Sequence, residues 1–255
     1  MTPEQKWMIF GIIAGVFVIA TIILCIFRAK HPESFTIKML ARIGIFTAFS
    51  TILYVVPALQ IPLPFFPAFL TIHIDEVPSM LAGFAFGPFV GIAAVVCKTL
   101  IKLPLTTTMC VGELSDVILS TVYVGVTSWL FNKKRNIAGA SIAIGVGTLI
   151  QVPLAMVLNV YVLIPFYINL MGFTEEMLLG MMQAAVPAIT DVGWSYGILA
   201  VLPFNLLKDA IVIILTLVCY RFLRVVLEKM HKDKVREHAA AEEVETSSDS
   251  GQNIL

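Results

Sequence analysis

Charged side chains are scarce in this sequence. Only 13% of its 255 residues are Asp, Glu, Lys or Arg, about half the share found in a typical soluble domain. Hydrophobic residues make up 58%, and the mean hydropathy is +0.92. This composition predicts an integral membrane protein. The formal net charge is zero, so no bulk positive charge favours a nucleic-acid partner.

Several signatures of chemical activity are missing as well. The four cysteines are widely separated and include no CxxC pair, so the usual spacing of a disulfide framework is not present. No GxxxxGK[ST] motif occurs, and the chain therefore cannot bind ATP through a P-loop. HExxH, GxSxG and paired-Asp motifs are also missing, which argues against an intramembrane enzyme. We predict no catalytic residue, no metal site and no cofactor.

What the sequence does contain is a series of long apolar runs. They are continuous and do not alternate with polar residues, which favours spanning helices over barrel strands. The interpretation is an all-α membrane protein in three parts. Residues 1–36 contain an additional N-terminal helix at Trp7–Phe27 and a linker, residues 37–227 form a six-helix domain, and residues 228–255 form a charged tail that we expect to be disordered.

Polar side chains interrupt the last apolar run, Val201–Arg221. Asn205 and Lys208 lie three positions apart and share a helix face. A charged residue at the centre of a spanning helix costs ~2.5–3.5 kcal/mol, so it normally faces a partner or a cavity. Two interpretations follow: Lys208 extends to the membrane interface, or both side chains reach into a polar cavity. Glu113 and Asp116, which also share a face, either complement the start of a helix or line the same cavity.

The segment 57–76 has an unusual composition. Four prolines within eleven residues forbid a helix there, yet three phenylalanines make the segment strongly apolar. A loop of this length and hydrophobicity is typical of a lid or binding loop. The alternative is a hairpin that rests in the headgroup region.

The distribution of basic residues predicts the orientation. If the first helix starts outside and six further segments follow, thirteen of the 17 basic residues lie on the cytoplasmic side. Only Lys6, Lys98, Lys102 and Lys208 lie toward the other side. This bias predicts a multi-pass membrane protein with a cytoplasmic C-terminus. The 57–76 loop, Glu113, and the helix ends with Asn159 and Asn205 then converge on the extracellular side.

From about Lys38 to Arg224 the chain resembles the substrate-binding S components of energy-coupling factor (ECF) vitamin transporters, most closely the riboflavin-specific members. The resemblance is carried by five pieces in the same order along the chain: Pro62–Leu70, Gly87–Pro88, Val111–Leu114, Asn159–Tyr167 and Pro203–Lys208. It implies a bundle of six helices and the capture of extracellular riboflavin. It also implies partners, namely one membrane coupling protein and two ABC ATPases, which fits the missing P-loop.

The resemblance also implies roles for individual residues. Asn159, Asn205 and Lys208 correspond to polar contacts with the flavin, with Glu113 as a further candidate and Tyr161 in the same motif as Asn159. Leu63, Phe66 and Phe69 correspond to an apolar cover, and Gly44 and Ala48 to the docking face for the coupling protein. The loop ends in Thr71-Ile72-His73, where the family pattern is Lys-Ile-Asp. A phosphorylated flavin, another vitamin of the folate, pantothenate or thiamine class, and a stand-alone permease are the alternatives.

Overall fold

The computed structural model describes residues 36–106, 108–222, 224, 225 and 229. The predicted helix Trp7–Phe27 lies outside these residues, as do nearly all of residues 1–36 and of the tail 228–255. Within the described part, five helices are long and apolar enough to cross a membrane. The all-α membrane fold predicted from composition is therefore confirmed.

Seven helices follow one another in the described part of the chain, and the one long connection among them joins the first two. The first three are α1 (Ile37–Val55), α2 (Glu76–Phe86) and α3 (Pro88–Lys102). The remaining four are α4 (Val111–Lys133), α5 (Ile137–Met171), α6 (Glu175–Ala185) and α7 (Trp194–Phe222). Side chains cap several of these helices: Thr36, Asn136 and Thr174 accept a hydrogen bond from the backbone N–H three residues on, as N-cap residues typically do.

Helix α2 is too short to span a membrane, because 11 residues cover only about half of the hydrocarbon core. Nearly all of its residues are buried between α1, α3 and α4. Gly87, with a φ of 97°, reverses the chain, and Pro88 then starts α3. The chain thus runs through the middle of the bundle in α2 and changes direction at Gly87 before α3 begins.

Helices α5 and α7 each contain one π-helical turn, at Asn159–Leu163 and Gly197–Val201. Helix α5 is continuous through Pro153 and Pro165, two residues that normally break a helix. Inside a bundle such breaks are absorbed by local π adjustments. Here the N–H of Ile164 donates to the carbonyl of Asn159, five residues back, immediately before Pro165.

The loop between α1 and α2 is folded against the bundle. Two short antiparallel strands, β1 (Ile61–Pro62) and β2 (Thr71–Ile72), join its ends through the pairs Ile61–Ile72 and Pro62–Thr71. Phe66 packs edge-on against Phe204, with 5.4 Å between the ring centres. The loop therefore rests on α7 and covers one end of the bundle.

Helices α2 and α3 approach each other most closely at Gly83 and Gly91. A β-carbon at Gly91 would lie 2.9 Å from the carbonyl oxygen of Ser79 and 3.1 Å from the α-carbon of Gly83. Both contacts are closer than side chains normally allow, and neither backbone group can move aside. Small residues at helix crossings allow this kind of packing in membrane proteins.

We expect Gly91→Ala to destabilise the protein, since the added methyl group must push α2 and α3 apart. Overpacking costs about 1–3 kcal/mol, which corresponds to a fall in Tm of roughly 2–12 °C for a chain of this size. Gly145→Ala is the matched control, because a β-carbon there has nothing within 4 Å. Thermal unfolding of the detergent-purified variants measures the difference. Equal Tm values for both variants would contradict the close approach.

Candidate substrate-binding cavity

A cavity of about 330 Å³ lies at the end of the bundle that the α1–α2 loop covers. This volume is in the range of small-molecule sites. Its walls come from the loop, from the ends of α3 and α4 and from the π turn of α5 and the first half of α7. The polar residues of the lining include Asn159, Asn205, Lys208, Glu113 and Asp116. The apolar and aromatic residues include Phe69, Leu119, Leu163, Tyr167 and Phe204.

The two predicted asparagines face this cavity from different helices. Asn159 and Asn205 are 7% and 6% exposed, so neither side chain points to lipid. The amide nitrogen of each donates to the carbonyl four residues earlier, Ala155 at 2.9 Å and Val201 at 2.8 Å. These bonds fix the direction of both amides and leave each with one further N–H. The structure therefore brings together the two residues that the sequence placed on α5 and α7.

Lys208 forms a buried ion pair with Glu76. Its ammonium nitrogen lies 2.5 Å from a carboxylate oxygen of Glu76, and the side chains are 9% and 1% exposed. The interpretation that Lys208 extends to the membrane interface is therefore wrong. Ser120 donates a second, longer hydrogen bond to the same carboxylate at 3.4 Å. Sequence reasoning did not single out Glu76, because 132 positions separate it from Lys208.

A second buried ion pair stands beside the first. Lys98 of α3 contacts the carboxylate of Asp75 and lies 3.3 Å from that of Asp116 on α4. Lys98 and Asp75 are both fully buried. The two adjacent acids at the start of α2, Asp75 and Glu76, thus each hold a lysine from a different helix. The sequence analysis singled out Asp116 of this cluster, as a residue that shares a helix face with Glu113, but it did not single out Asp75.

Glu113 lines the cavity from the first turn of α4. One of its carboxylate oxygens accepts hydrogen bonds from the hydroxyls of Thr106 at 2.7 Å and Thr108 at 2.9 Å. Both interpretations of Glu113 are compatible with this position, since the residue starts a helix and also faces the cavity together with Asp116. The threonine-rich turn before α4 supplies its hydrogen-bond donors.

His73 contributes a neutral ring to the cavity wall. Burial, reinforced by the positive charge of Lys208, lowers the pKa of His73 to about 3. One ring nitrogen lies 2.8 Å from the hydroxyl of Thr71, and the ring stands edge-on to Tyr54. A neutral imidazole of this kind can both donate and accept a hydrogen bond.

The predicted apolar cover divides into residues that reach the cavity and residues that do not. Phe69 lines it, with its ring 6.3 Å from that of Tyr167. Leu63 and Phe66 are not among the lining residues; Phe66 supports the lining residue Phe204 from behind. Tyr161 does not line the cavity either, because its side chain is 59% exposed and packs against Trp194.

Residues 38–220 match the sequence model of the family described as ECF transporter, substrate-specific component. The match covers well over half of the chain. The chain belongs to this family. Its members are the substrate-binding components of transporters and are not enzymes.

This S component is similar to two named relatives and to one solved structure. The riboflavin transporter RibU of Staphylococcus aureus (strain TCH60) is 25% identical over 184 residues, which cover 71% of this chain and 89% of the relative. The riboflavin transporter FmnP of Bacillus subtilis (strain 168) is 26% identical over 175 residues, covering 67% and 85%. A structure titled "Structure and mechanism of the S component of a bacterial ECF transporter" superimposes with a TM-score of 0.58 at 25% identity. The superposition covers 74% of this chain and 97% of the solved chain.

We expect the Glu76–Lys208 pair to be essential for the stability of the S component. Glu76→Gln removes the carboxylate that contacts a buried ammonium, and breaking such a pair typically costs about 3–5 kcal/mol. Glu76→Gln/Lys208→Met removes both charges and should recover part of the loss in Tm, measured by thermal unfolding in detergent.

Glu176→Gln is the control for this pair. It removes an exposed carboxylate from the first turn of α6, where the charge contributes at most about 1 kcal/mol. A Glu76→Gln variant that is as stable as Glu176→Gln would show that the buried pair does not hold α2 and α7 together.

Proposed function

We propose that this S component captures riboflavin in the cavity between the loop, α5 and α7. The observation that carries the proposal is the composition of the cavity wall, which combines aromatic and aliphatic side chains with amide, ammonium and carboxylate groups. Riboflavin is a flat apolar plate with a hydrogen-bonding pyrimidine edge and a polyol tail. The names and similarity of the two relatives support the same ligand.

The chemistry of the wall fits such a ligand in a specific way. Phe69, Tyr167 and Phe204 can pack against the ring system, while Asn159 and Asn205 can bond the pyrimidine edge. Apolar walls alone discriminate weakly between ligands, whereas a site built to hydrogen-bond a ligand rejects analogues that lack the matching groups. In this proposal the asparagines therefore supply the selectivity and the aromatic rings supply most of the contact area.

The cavity is proposed to open to the outside of the cell. Glu113 and Lys208 line it, whereas Lys133 and Phe222 end the same two helices, α4 and α7. The basic residues Lys133, Lys134 and Arg135, at and just after the end of α4, therefore lie at the opposite end of the bundle. Since basic residues favour the cytoplasmic side, the proposed cavity end is extracellular.

The binding proposal is tested with three asparagine variants that each lose the same kind of bond. Asn159→Ala and Asn205→Ala should weaken riboflavin binding by 1–3 kcal/mol, or about 5- to 150-fold in Kd, measured by quenching of riboflavin fluorescence. Asn169→Ala is the control. The Asn169 amide also donates to the carbonyl four residues earlier, at 2.8 Å, but the side chain is exposed and does not line the cavity.

Absorption spectra of protein purified from cells grown in rich medium provide an independent measurement. A bound flavin gives the preparation a yellow colour. A colourless parent protein that also fails to quench added riboflavin would rule out riboflavin and leave the other vitamins as ligands. Equal affinities in all three asparagine variants would instead show that the flavin binds elsewhere.

Release of the ligand into the cell is proposed to need a membrane coupling protein and two ABC ATPases, because the chain has no P-loop of its own. Helix α1 is the least buried of the five spans. Gly44 and Ala48 are exposed on it, and a β-carbon at Gly44 would have nothing within 4 Å. Small residues on a free helix face allow another helix to approach closely.

We expect Gly44→Leu to abolish co-purification of the coupling protein and its ATPases from native membranes, because the larger side chain fills the docking face. The Kd for riboflavin should stay at the parent value. Gly145→Leu, at an equally open position on α5, should retain both properties. Co-purification of the identified subunits with Gly44→Leu at the parent level would place the docking surface elsewhere.

A further inference from the structure

The two π turns of the structure contact each other next to the cavity. They lie at Asn159–Leu163 of α5 and Gly197–Val201 of α7. A β-carbon at Gly197 would lie 3.0 Å from Cγ of Met156 and 3.2 Å from Cγ2 of Val160. Glycine thus allows the two irregular segments to pack closely. Single π turns inside helices are frequently associated with functional sites.

One hydrogen bond crosses this contact. The hydroxyl of Tyr196, the residue before the π turn of α7, donates to Oδ1 of Asn159 at 3.2 Å. Tyr196 is fully buried and does not line the cavity. Asn159 is therefore fixed at both ends of its amide, since its Nδ2 also donates to the carbonyl of Ala155. For Asn205, the structure records only the bond from Nδ2 to Val201.

The two fixed bonds determine what Asn159 can still offer to a ligand. A primary amide has two N–H donors and an oxygen that accepts two hydrogen bonds. One donor and one acceptor position are occupied by Ala155 and Tyr196, which leaves one N–H and one acceptor position. An adjacent donor and acceptor match the neighbouring carbonyl and N–H of an imide or cyclic amide, the group at the pyrimidine edge of a flavin.

We infer that Tyr196 is a positioning residue that sets the orientation of the Asn159 amide and thereby makes the cavity selective for ligands with an imide edge. The ligand in this inference rests on the proposed riboflavin function, whereas the contact between Tyr196 and Asn159 does not. Asn205, with one recorded bond, keeps more donor and acceptor positions for a ligand, whereas the second bond of Asn159 narrows what its amide can accept. No sequence motif contains both Tyr196 and Asn159, which are 37 positions apart.

Tyr196→Phe removes one oxygen atom and leaves the ring in place. Without this bond the Asn159 amide is held less firmly in the direction that the ligand needs, and we expect riboflavin binding to weaken about fivefold, which corresponds to about 1 kcal/mol. The affinity for riboflavin methylated at N3, which has no imide N–H, should change less than twofold. The ratio of the Kd for this analogue to the Kd for riboflavin should therefore fall about fivefold. Fluorescence quenching with both ligands measures this ratio.

Tyr123→Phe is the matched control. Its hydroxyl lies 3.2 Å from that of Thr148, the ring is also fully buried, and the residue does not line the cavity. We expect it to leave both affinities at the parent values. If Tyr196→Phe weakens the binding of both ligands equally, the role of Tyr196 is structural only, and the inference is wrong. It is also wrong if a folded Tyr196→Phe variant keeps the parent preference.

A measurement without ligand separates this inference from the riboflavin proposal. The side-chain NH₂ signals of Asn159 can be assigned in a ¹⁵N-labelled NMR spectrum by their loss in Asn159→Asp. They should shift in Tyr196→Phe and stay unchanged in Tyr123→Phe. If the parent protein does not bind riboflavin, the proposed ligand is wrong while these signals still decide the role of Tyr196. Superimposable Asn159 signals in the parent and Tyr196→Phe would overturn it.

Discussion

The pairing of two adjacent acids with two lysines from different helices is the constraint on which the described bundle depends. Asp75 and Glu76 stand where the loop enters α2, and they hold Lys98 of α3 and Lys208 of α7. All four are buried in a region that offers little solvent. An unpaired charge there would cost several kcal/mol, so each lysine requires its acid. These contacts tie the end of the loop to the two helices on either side of it.

The cavity follows from this arrangement and from the length of α2. Because α2 has 11 residues, it fills about half of the membrane thickness. The chain between Val55 and Glu76 is a proline-rich loop, in which the prolines prevent a continuous α-helix. A loop packs less completely against helices than a sixth long helix would. Lys208 and Asp116, which belong to the two ion pairs, line the space that remains, and they help to explain why a cavity in an apolar bundle has polar walls.

More of the fold than of the site could be predicted from the sequence. Continuous apolar runs predicted the helices α1, α3, α4, α5 and α7, because the hydropathy and length of a run can be read from neighbouring residues alone. Asn205 and Lys208 were recognisable because polar groups in apolar helices need an explanation, and Asn159 was recognisable through the family resemblance. Their partners Glu76 and Tyr196 were not, since the pairing connects residues 132 and 37 positions apart. The orientation of Tyr161 away from the cavity was equally hidden, because the π turn changes which face of α5 each residue occupies.

The selectivity of such a cavity depends on how many bonds its residues have left. Each asparagine amide already donates one hydrogen bond to its own helix, and Lys208 already donates to Glu76. The protein thereby stabilises these groups when no ligand is bound, which a membrane interior requires. A ligand gains only the remaining donors and acceptors, and it gains them fully only when its own groups point in the fixed directions. Satisfying the polar groups inside the protein and discriminating between ligands are thus consequences of the same contacts.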